Sequence, residues 1–340
     1  MGRGGRTVLK LLTNSRVKSF RRCQRHHYYS YVLGAKPVET AAPLEFGTTG
    51  HLGLEWFWNG IRMGMSGPAI LQAMGQAIAP FARKPFEFAK LTAMLSGYCM
   101  LWTEITPFRI KRVLGVEQTF QVPLVHPRSG ETSSWMLAGK LDVLFELQDG
   151  RIAIGEHKSS SEDVDIGGAY HGKLTMDGQV SQYFEGASAI LQTLGIDRRP
   201  DVILYDVLSK PMLRPYEKTE KIRIKKNGEP YANQRLADET PVEFAKRCLT
   251  DIHANMSDYY HVYEVVRFGR EIQDYKLDIW QYGEQIDRQV ETGQAPRNPD
   301  ACFMGKRACE YLGVCTGTRD INDPQAYRID AHHVHPELGV

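Results

Sequence analysis

Residues Gly139–Ser160 read GKLDVLFELQDGRIAIGEHKSS. Two strand-like runs flank Gln148-Asp149-Gly150, a hairpin signal. Side chains in a strand repeat every second residue. Asp142, Leu144 and Glu146 therefore share one face and alternate with Leu141, Val143 and Phe145. In the second run Ile152, Ile154, Glu156 and Lys158 share a face. A three-residue loop with Gly150 in the left-handed region pairs Leu147 with Arg151, and counting back sets Asp142 opposite Glu156. A two-residue Asp149-Gly150 turn would set Asp142 opposite His157 and turn it to the wrong face. The longer loop, or a bulge that corrects the register, is the expected arrangement.

Strand interiors rarely hold charge unless it is paired or binds metal. Two opposed carboxylates repel unless a cation lies between them. Oxygen ligands of this kind suit Mg²⁺ or Mn²⁺. Lys158 projects toward the same place, where it can orient or help deprotonate a water, or neutralise charge on a phosphate. The competing reading is a surface hairpin with an ordinary acid–lysine pair. Downstream, DGQVSQYFEGASAILQTL (177–194) has helical apolar spacing at Val180, Phe184, Ala187, Ile190, Leu191 and Leu194. Gln179 and Tyr183 share one face of that helix and can hydrogen-bond a phosphate, sugar or base. Upstream, FGTTGHLGLEWFW (46–58) carries His51 with Glu55 at helical spacing. A polar helix face and a structural histidine are the plain alternatives for these two segments.

In this order the pieces resemble the PD-(D/E)XK nuclease superfamily, and within it the RecB-like exonuclease branch. That pattern is a helical His, an Asp, (E/D)-x-K and Q-x-x-x-Y. Here His51, Asp142, Glu156-His157-Lys158, and Gln179 with Tyr183 supply it, over roughly residues 15–315. The resemblance implies metal binding by His51, Asp142, Glu156 and the carbonyl of His157. It implies a catalytic role for Asp142, Glu156 and Lys158, and DNA contact or site orientation by Gln179 and Tyr183. In LSKPMLRP (208–215), Lys210 lies just past a strand end, as in a Lys-Pro segment of related phage-type nucleases. Lys210 is a candidate DNA contact, and loop shaping by the two prolines is the equal alternative.

The six cysteines are Cys23, Cys99, Cys248, Cys302, Cys309 and Cys315. Clustered cysteines in a chain without an apolar leader suggest metal or redox chemistry. One precedes the hairpin region and three crowd CFMGKRACEYLGVC. Cys23, Cys302, Cys309 and Cys315 resemble the iron–sulfur arrangement of RecB-like nucleases of the AddB and CRISPR-associated types. Four thiolates suffice for a 4Fe–4S cluster. Such a cluster would clip the two ends of the chain together. The six residues between Cys302 and Cys309 depart from the usual C-x-x-C-x5-C tail. A zinc site on the same thiols is the competing metal reading, with His26, His27, His332 and His333 as spare nitrogen ligands. Reduced, metal-free thiols are the plain alternative, and Cys99 and Cys248 read as core.

Composition sets outer bounds. The chain has 340 residues and a formal net charge of +2, so it is no general basic coat for nucleic acid. Charge is local instead, in Arg16, Lys18, Arg21, Arg22 and Arg25, and in Lys218, Lys221, Arg223, Lys225 and Lys226. Either run can touch phosphates or simply be solvated. No run is long and apolar enough for a bilayer and no signal-peptide core is present, so a cytoplasmic protein without membrane contact is expected. The chain contains no G-x-x-x-x-G-K-S/T loop, so it should not hydrolyse ATP.

The spacing predicts helices near 15–33, 50–64, 68–80, 86–104, 240–256 and 269–291, besides the Gln179 helix. It predicts strands near 113–125, 135–147, 151–158, 201–208 and 261–268, with a loop or hairpin over 219–234. Residues 1–5 and the stretch after Thr316 read as loose. The expected fold is α/β: a restriction-endonuclease-like core whose central mixed sheet is flanked by helices, with N- and C-terminal helical regions joined by the Cys cluster. The expected divisions are 1–110, 111–215 and 216–340, together one compact domain.

The leading reading is a metal-dependent DNA exonuclease acting on single strands or duplex ends, in recombination, repair or replication. A helicase or recombination protein is the implied partner, and a phage or bacterial setting follows from the resemblance alone. A non-cleaving nucleic-acid clamp is the alternative. A redox or zinc protein ranks last, because it leaves the Asp142 hairpin unexplained.

Overall fold

The computed structural model describes residues 10–338 apart from 39–41, 106–109, 161–163, 165–166, 230, 232–233, 306, 333 and 336–337. The loose tail expected over 1–5 and the spare ligand His333 lie outside the described residues. The chain opens with β1 (Lys10–Leu12), α1 (Asn14–Arg22) and α2 (Gln24–His27), followed by a π turn over Tyr28–Val32 and by β2 (Ala35–Pro37). Three helices follow: α3 (Ala42–Arg62), α4 (Gly67–Ile78) and α5 (Pro85–Met100). Then come β3 (Ile110–Val125), β4 (Thr132–Leu147), β5 (Ile152–Ser160), α6 (Ala169–Leu174), α7 (Gly178–Thr193) and β6 (Val202–Ser209). Next are α8 (Pro241–Ala254), α9 (Met256–Tyr259), β7 (Tyr260–Val265) and α10 (Gly269–Thr292). The chain closes with β8 (Phe303–Met304), β9 (Arg307–Ala308), α11 (Leu312–Thr316) and β10 (Tyr327–Ile329). Among the described residues no helix is long and apolar enough to cross a membrane.

The central sheet runs β1-β4-β5-β6-β7, with β3 also paired to β4. β5 and β6 are parallel and are joined by a crossover through α6 and α7, whereas β3–β4, β4–β5 and β6–β7 are antiparallel. This is the mixed sheet flanked by helices that the pattern predicts. One face packs Val143, Phe145, Ala153 and Leu204 under the helices that carry Trp58, Tyr98 and Phe244. The other packs Leu144, Ile152, Ile154 and Ile203 under α7, through Val180, Phe184, Ala187, Ile190 and Leu191. Burying each such large side chain contributes about 1.5–3 kcal/mol at most. A close approach seats α7 on β3: a Cβ at Gly186 would stand 2.4 Å from the Phe120 ring.

β4 makes a fork. Along one edge β1 pairs with its first half, at Trp135–Leu137, and β5 with its second half, at Val143–Glu146. Between them Gln182 Nε2 donates to the carbonyls of Leu12 and Ala138, so the gap is closed by a side chain rather than by a strand.

Two expectations change. The helix predicted over 15–33 breaks at Cys23, whose extended backbone (φ −165°, ψ 119°) ends α1 and starts α2. The tail after Thr316 is not loose, because β10 pairs antiparallel with β2 and Tyr327 packs with Tyr29 and Tyr311. N- and C-terminal segments thus meet directly. Arg25 N donates to Pro296 O at 3.1 Å, and Asn298 Nδ2 to Arg22 O at 2.8 Å.

Candidate functional site

The hairpin between β4 and β5 has the longer loop. Leu147 N donates to Arg151 O at 2.9 Å, and Gly150 sits at φ +87°. The ladder pairs Glu146 with Ile152 and Val143 with Gly155, and it ends there. Beyond Gly155 the amide of His157 donates to Asp142 Oδ2 at 2.8 Å instead of to a backbone carbonyl. The strands part at this point, and Asp142 and Glu156 meet in the opening, 8% and 2% exposed.

Several elements converge on them. From β5, Lys158 Nζ pairs with Glu156 Oε1. From the first turn of α7, Gln179 Nε2 donates to the same Glu156 oxygen at 2.9 Å and to Tyr183 Oη at 2.7 Å. The Asp177 side chain caps that helix by accepting from Gln179 N, which fixes the turn. From α3, His51 Nδ1 lies 3.6 Å from Asp142 Oδ2. The structure therefore gathers His51, Asp142, Glu156, Lys158, Gln179 and Tyr183. Glu146, the third acid on the Asp142 face, is drawn off by Lys111 and Arg112 at 2.7 and 2.8 Å.

His157 is split between two environments. Its backbone lies between Glu156 and Lys158, but its ring turns into the helices on the opposite face. There Trp58 Nε1 donates to Nε2 at 2.8 Å, and Asp206 Oδ2 lies 3.4 Å from Nδ1. Only backbone atoms of His157 are left to serve the carboxylate cluster.

One acid was not foreseen. Glu117, on β3, has φ +51°. Its neighbours Val116 and Gln118 pair with Val143 and Leu141, so it stands across from Asp142. A positive φ in a non-glycine strand residue is strained. Ligand atoms of Glu117, His51 and Asp142 lie within 4.8 Å of one another. The available signal was Gly115-Val116-Glu117, an acid beside a glycine in a strand run, but placing it needs the β3–β4 register.

The electrostatics describe a cation-hungry site. Burial and the neighbouring Asp142 raise the pKa of Glu156, against the pull of Lys158. Burial, with some repulsion from Asp142, pushes Glu117 up to about 6 despite its ion pair with Lys140. Burial disfavours the Lys158 ammonium, but Glu156, Tyr183 and Asp142 outweigh it and hold its pKa above the usual lysine value. Burial and the Lys158 charge lower His51 to about 4, leaving a neutral imidazole for coordination. Glu156 Oε2 is buried and has no hydrogen-bond partner among the described residues. His51, Glu117 and Asp142 form a donor group that fits a hard divalent cation; Glu156 lies outside that group, close enough to Asp142 for the two charges to repel.

Lys210 stands apart from this cluster. Its amide donates to Ser160 O at 2.8 Å, and its ammonium pairs with Glu87 and lies 4.3 Å from the Phe46 ring centre. The N-terminal basic run is not one phosphate-facing stripe. Arg16 is buried and donates to His27 Nε2 at 3.2 Å, and Lys18 pairs with Asp177.

A second group forms where the chain ends meet. Cys23, Cys302, Cys309 and Cys315 are free and half-buried, whereas Cys99 and Cys248 are buried in the core. The helix break at Cys23 lets its Sγ accept from Asn298 N at 3.4 Å. The six residues after Cys302 include the β8–β9 pairing, and Cys309 N donates to Cys302 O at 2.7 Å. The longer gap is thus a hairpin that returns the chain, and it leaves Cys302 and Cys309 side by side. Burial, then the neighbouring Cys23 and Cys302, raise the Cys315 thiol, which Arg25 and Arg297 oppose. Four thiolates are the donor set of an iron–sulfur cluster or zinc, but no three of these sulfurs lie within 4.8 Å of one another. His26, Cys309 and Glu310 also bring ligand atoms within 4.8 Å of one another. His26 is held by Glu310 at 2.8 Å and Ser19 at 2.7 Å, and His27 by Arg16 and Gln289.

No curated protein matches the chain. A family model for the PD-(D/E)XK nuclease superfamily matches residues 12–316.

Proposed function

The chain belongs to the PD-(D/E)XK nuclease superfamily, and we propose that it is a metal-dependent deoxyribonuclease working from DNA ends, in recombination, repair or replication. The observation that carries this reading is the group of ligand atoms from His51, Glu117 and Asp142 within 4.8 Å of one another, beside the buried Glu156, whose Oε2 has no hydrogen-bond partner among the described residues.

Asp142, Glu156, Glu117, His51 and the backbone of His157 would hold Mg²⁺ or Mn²⁺. When bound, such an ion acidifies a water and stabilises the leaving oxygen of a phosphodiester. The remaining work falls to the chain itself. Lys158 is kept as an ammonium by its carboxylate neighbours, so it serves best to orient a water and to offset charge growing on the phosphate. Gln179 fixes the Glu156 carboxylate through one oxygen and leaves the other free to coordinate. Tyr183, bonded to Gln179, keeps that amide aimed.

The four cysteines would hold a 4Fe–4S cluster, or zinc, as a clip between α1 and the C-terminal loop. They bind no part of the reaction in this reading.

Ends-directed action is tested with linear and covalently closed DNA of one sequence, labelled at either end. Mononucleotide release from the linear form, with the circle intact, supports the exonuclease. Linearised circles would make it an endonuclease. Binding without cleavage of either form would leave the clamp.

A further inference from the structure

We propose that the apolar cleft between α3 and α5 is a subsite for one unstacked nucleobase of a single strand, beside the carboxylate cluster. This rests on the nuclease reading and deepens it, because it names a single-stranded terminus as the form of substrate that is engaged.

The cleft has a volume of about 250 Å³ and is lined by Phe46, Phe81, Phe88, Leu91, Arg83 and Lys84. An apolar cavity of roughly 150 Å³ takes benzene, so this one has room for a base. Phe81 lines the cleft and is 45% exposed, so its ring can be reached from solvent. Phe46 and Leu91 also line a small cavity whose other walls include His51, His157 and Lys158, so the cleft opens beside the site rather than elsewhere on the surface.

Its rim is charged for a phosphate backbone. Arg83 is 78% exposed and lies 3.7 Å from Glu45. Lys210 sits over the Phe46 ring and pairs with Glu87. Arg83 and Lys210 are thus the partners of the two acids, and Lys84, which also lines the cleft, adds a third cation to the rim. Aromatic faces for bases beside cations for phosphates are the two requirements of single-strand binding. A base stacked within a duplex cannot enter a concave pocket without being extruded.

The test uses the full chain carrying Glu156→Gln, so that bound DNA survives. Fluorescence anisotropy with a labelled 12-nucleotide strand compares Phe81 with Phe81→Ala and Phe81→Trp. The alanine variant should bind at least about five-fold more weakly and the tryptophan variant should not. A strand with an abasic sugar at its terminal positions should bind the Phe81 and Phe81→Ala proteins equally. Photo-crosslinking of a 5-iodouracil strand should label Phe81 or Phe88. Equal affinity of Phe81 and Phe81→Ala for the intact strand, or crosslinks only elsewhere, would overturn the proposal and leave the cleft to a protein side chain. The two readings fail separately. A wild-type chain that never cleaves but shows Phe81-dependent affinity keeps the subsite and loses the nuclease.

Discussion

Replacing Glu117 by glutamine should stabilise the metal-free protein, which is an unusual expectation for a buried, ion-paired residue. Burial and Asp142 raise its pKa from 4.5 to about 6 even with Lys140 beside it. Between those values the folded chain holds a proton that the unfolded chain has lost. Stability therefore falls as pH rises through the window, and the whole cost is present above about pH 6. A shift of about 1.5 units is worth about 2 kcal/mol. For a chain of this size that is roughly 3 °C in melting temperature. The positive φ stays in the glutamine variant, so the comparison isolates the charge. Thermal melts of Glu117 and Glu117→Gln in EDTA should coincide near pH 4.5, and the variant should melt about 3 °C higher at pH 7.5. Adding Mg²⁺ or Mn²⁺ should raise the wild type and the variant by unequal amounts, the wild type more, because the folded state alone holds the ion. A variant that melts with the wild type in EDTA at pH 7.5, and gains equally from metal, would remove Glu117 from the cation site.

Three other outcomes are expected. His27 is buried, and burial with the neighbouring Arg16 lowers its pKa to about 3, so the unfolded chain takes a proton near pH 6.5 that the folded chain refuses. Stability should fall on acidification from about pH 6.5 toward 3, by up to about 1.4 kcal/mol per unit, and His27→Gln should flatten that slope in urea titrations. An unchanged slope would mean that His27 titrates freely. Trp58→Phe leaves His157 Nε2 without its donor and should cost about 1–3 kcal/mol, measured by denaturant midpoint; no change would show the bond to be dispensable. Anaerobically purified protein should carry iron or zinc that is lost in Cys23→Ser and in Cys309→Ser, and elemental analysis that finds neither metal in the wild type would leave the four thiols simply reduced.

Much of the site could be read from the chain because its information is local. The Gln148-Asp149-Gly150 loop sets the β4–β5 register, and the register alone brings Asp142 to Glu156. The helical spacing of Gln179 and Tyr183 is likewise local, and so is the placement of His51 on a helix. What could not be read depends on contacts between distant segments. Glu117 becomes a site residue only when the β3–β4 pairing slips at Val113–Gly115 and its own backbone turns to positive φ. The ring of His157 faces away because Trp58 on α3 and Asp206 on β6 receive it. The helix break at Cys23 runs against local helical spacing and is bound up with the Asn298 contact. Arg16 reads as a surface charge in a basic run, yet it is buried against His27 and the Trp135 ring. The hairpin inside the cysteine loop is too short to leave a periodic signal.

Asp142, Glu156 and Lys158 are proposed to act together as a cation-dependent hydrolytic site. The most direct measurement incubates end-labelled single- and double-stranded DNA with the wild type, Glu156→Gln and Lys158→Ala, each with Mg²⁺, with Mn²⁺ and with EDTA, beside circular dichroism of each protein. Degradation by the wild type alone, present with either metal and absent in EDTA, is the result the account predicts. Cleavage that persists in folded Glu156→Gln, or that proceeds in EDTA, would contradict it.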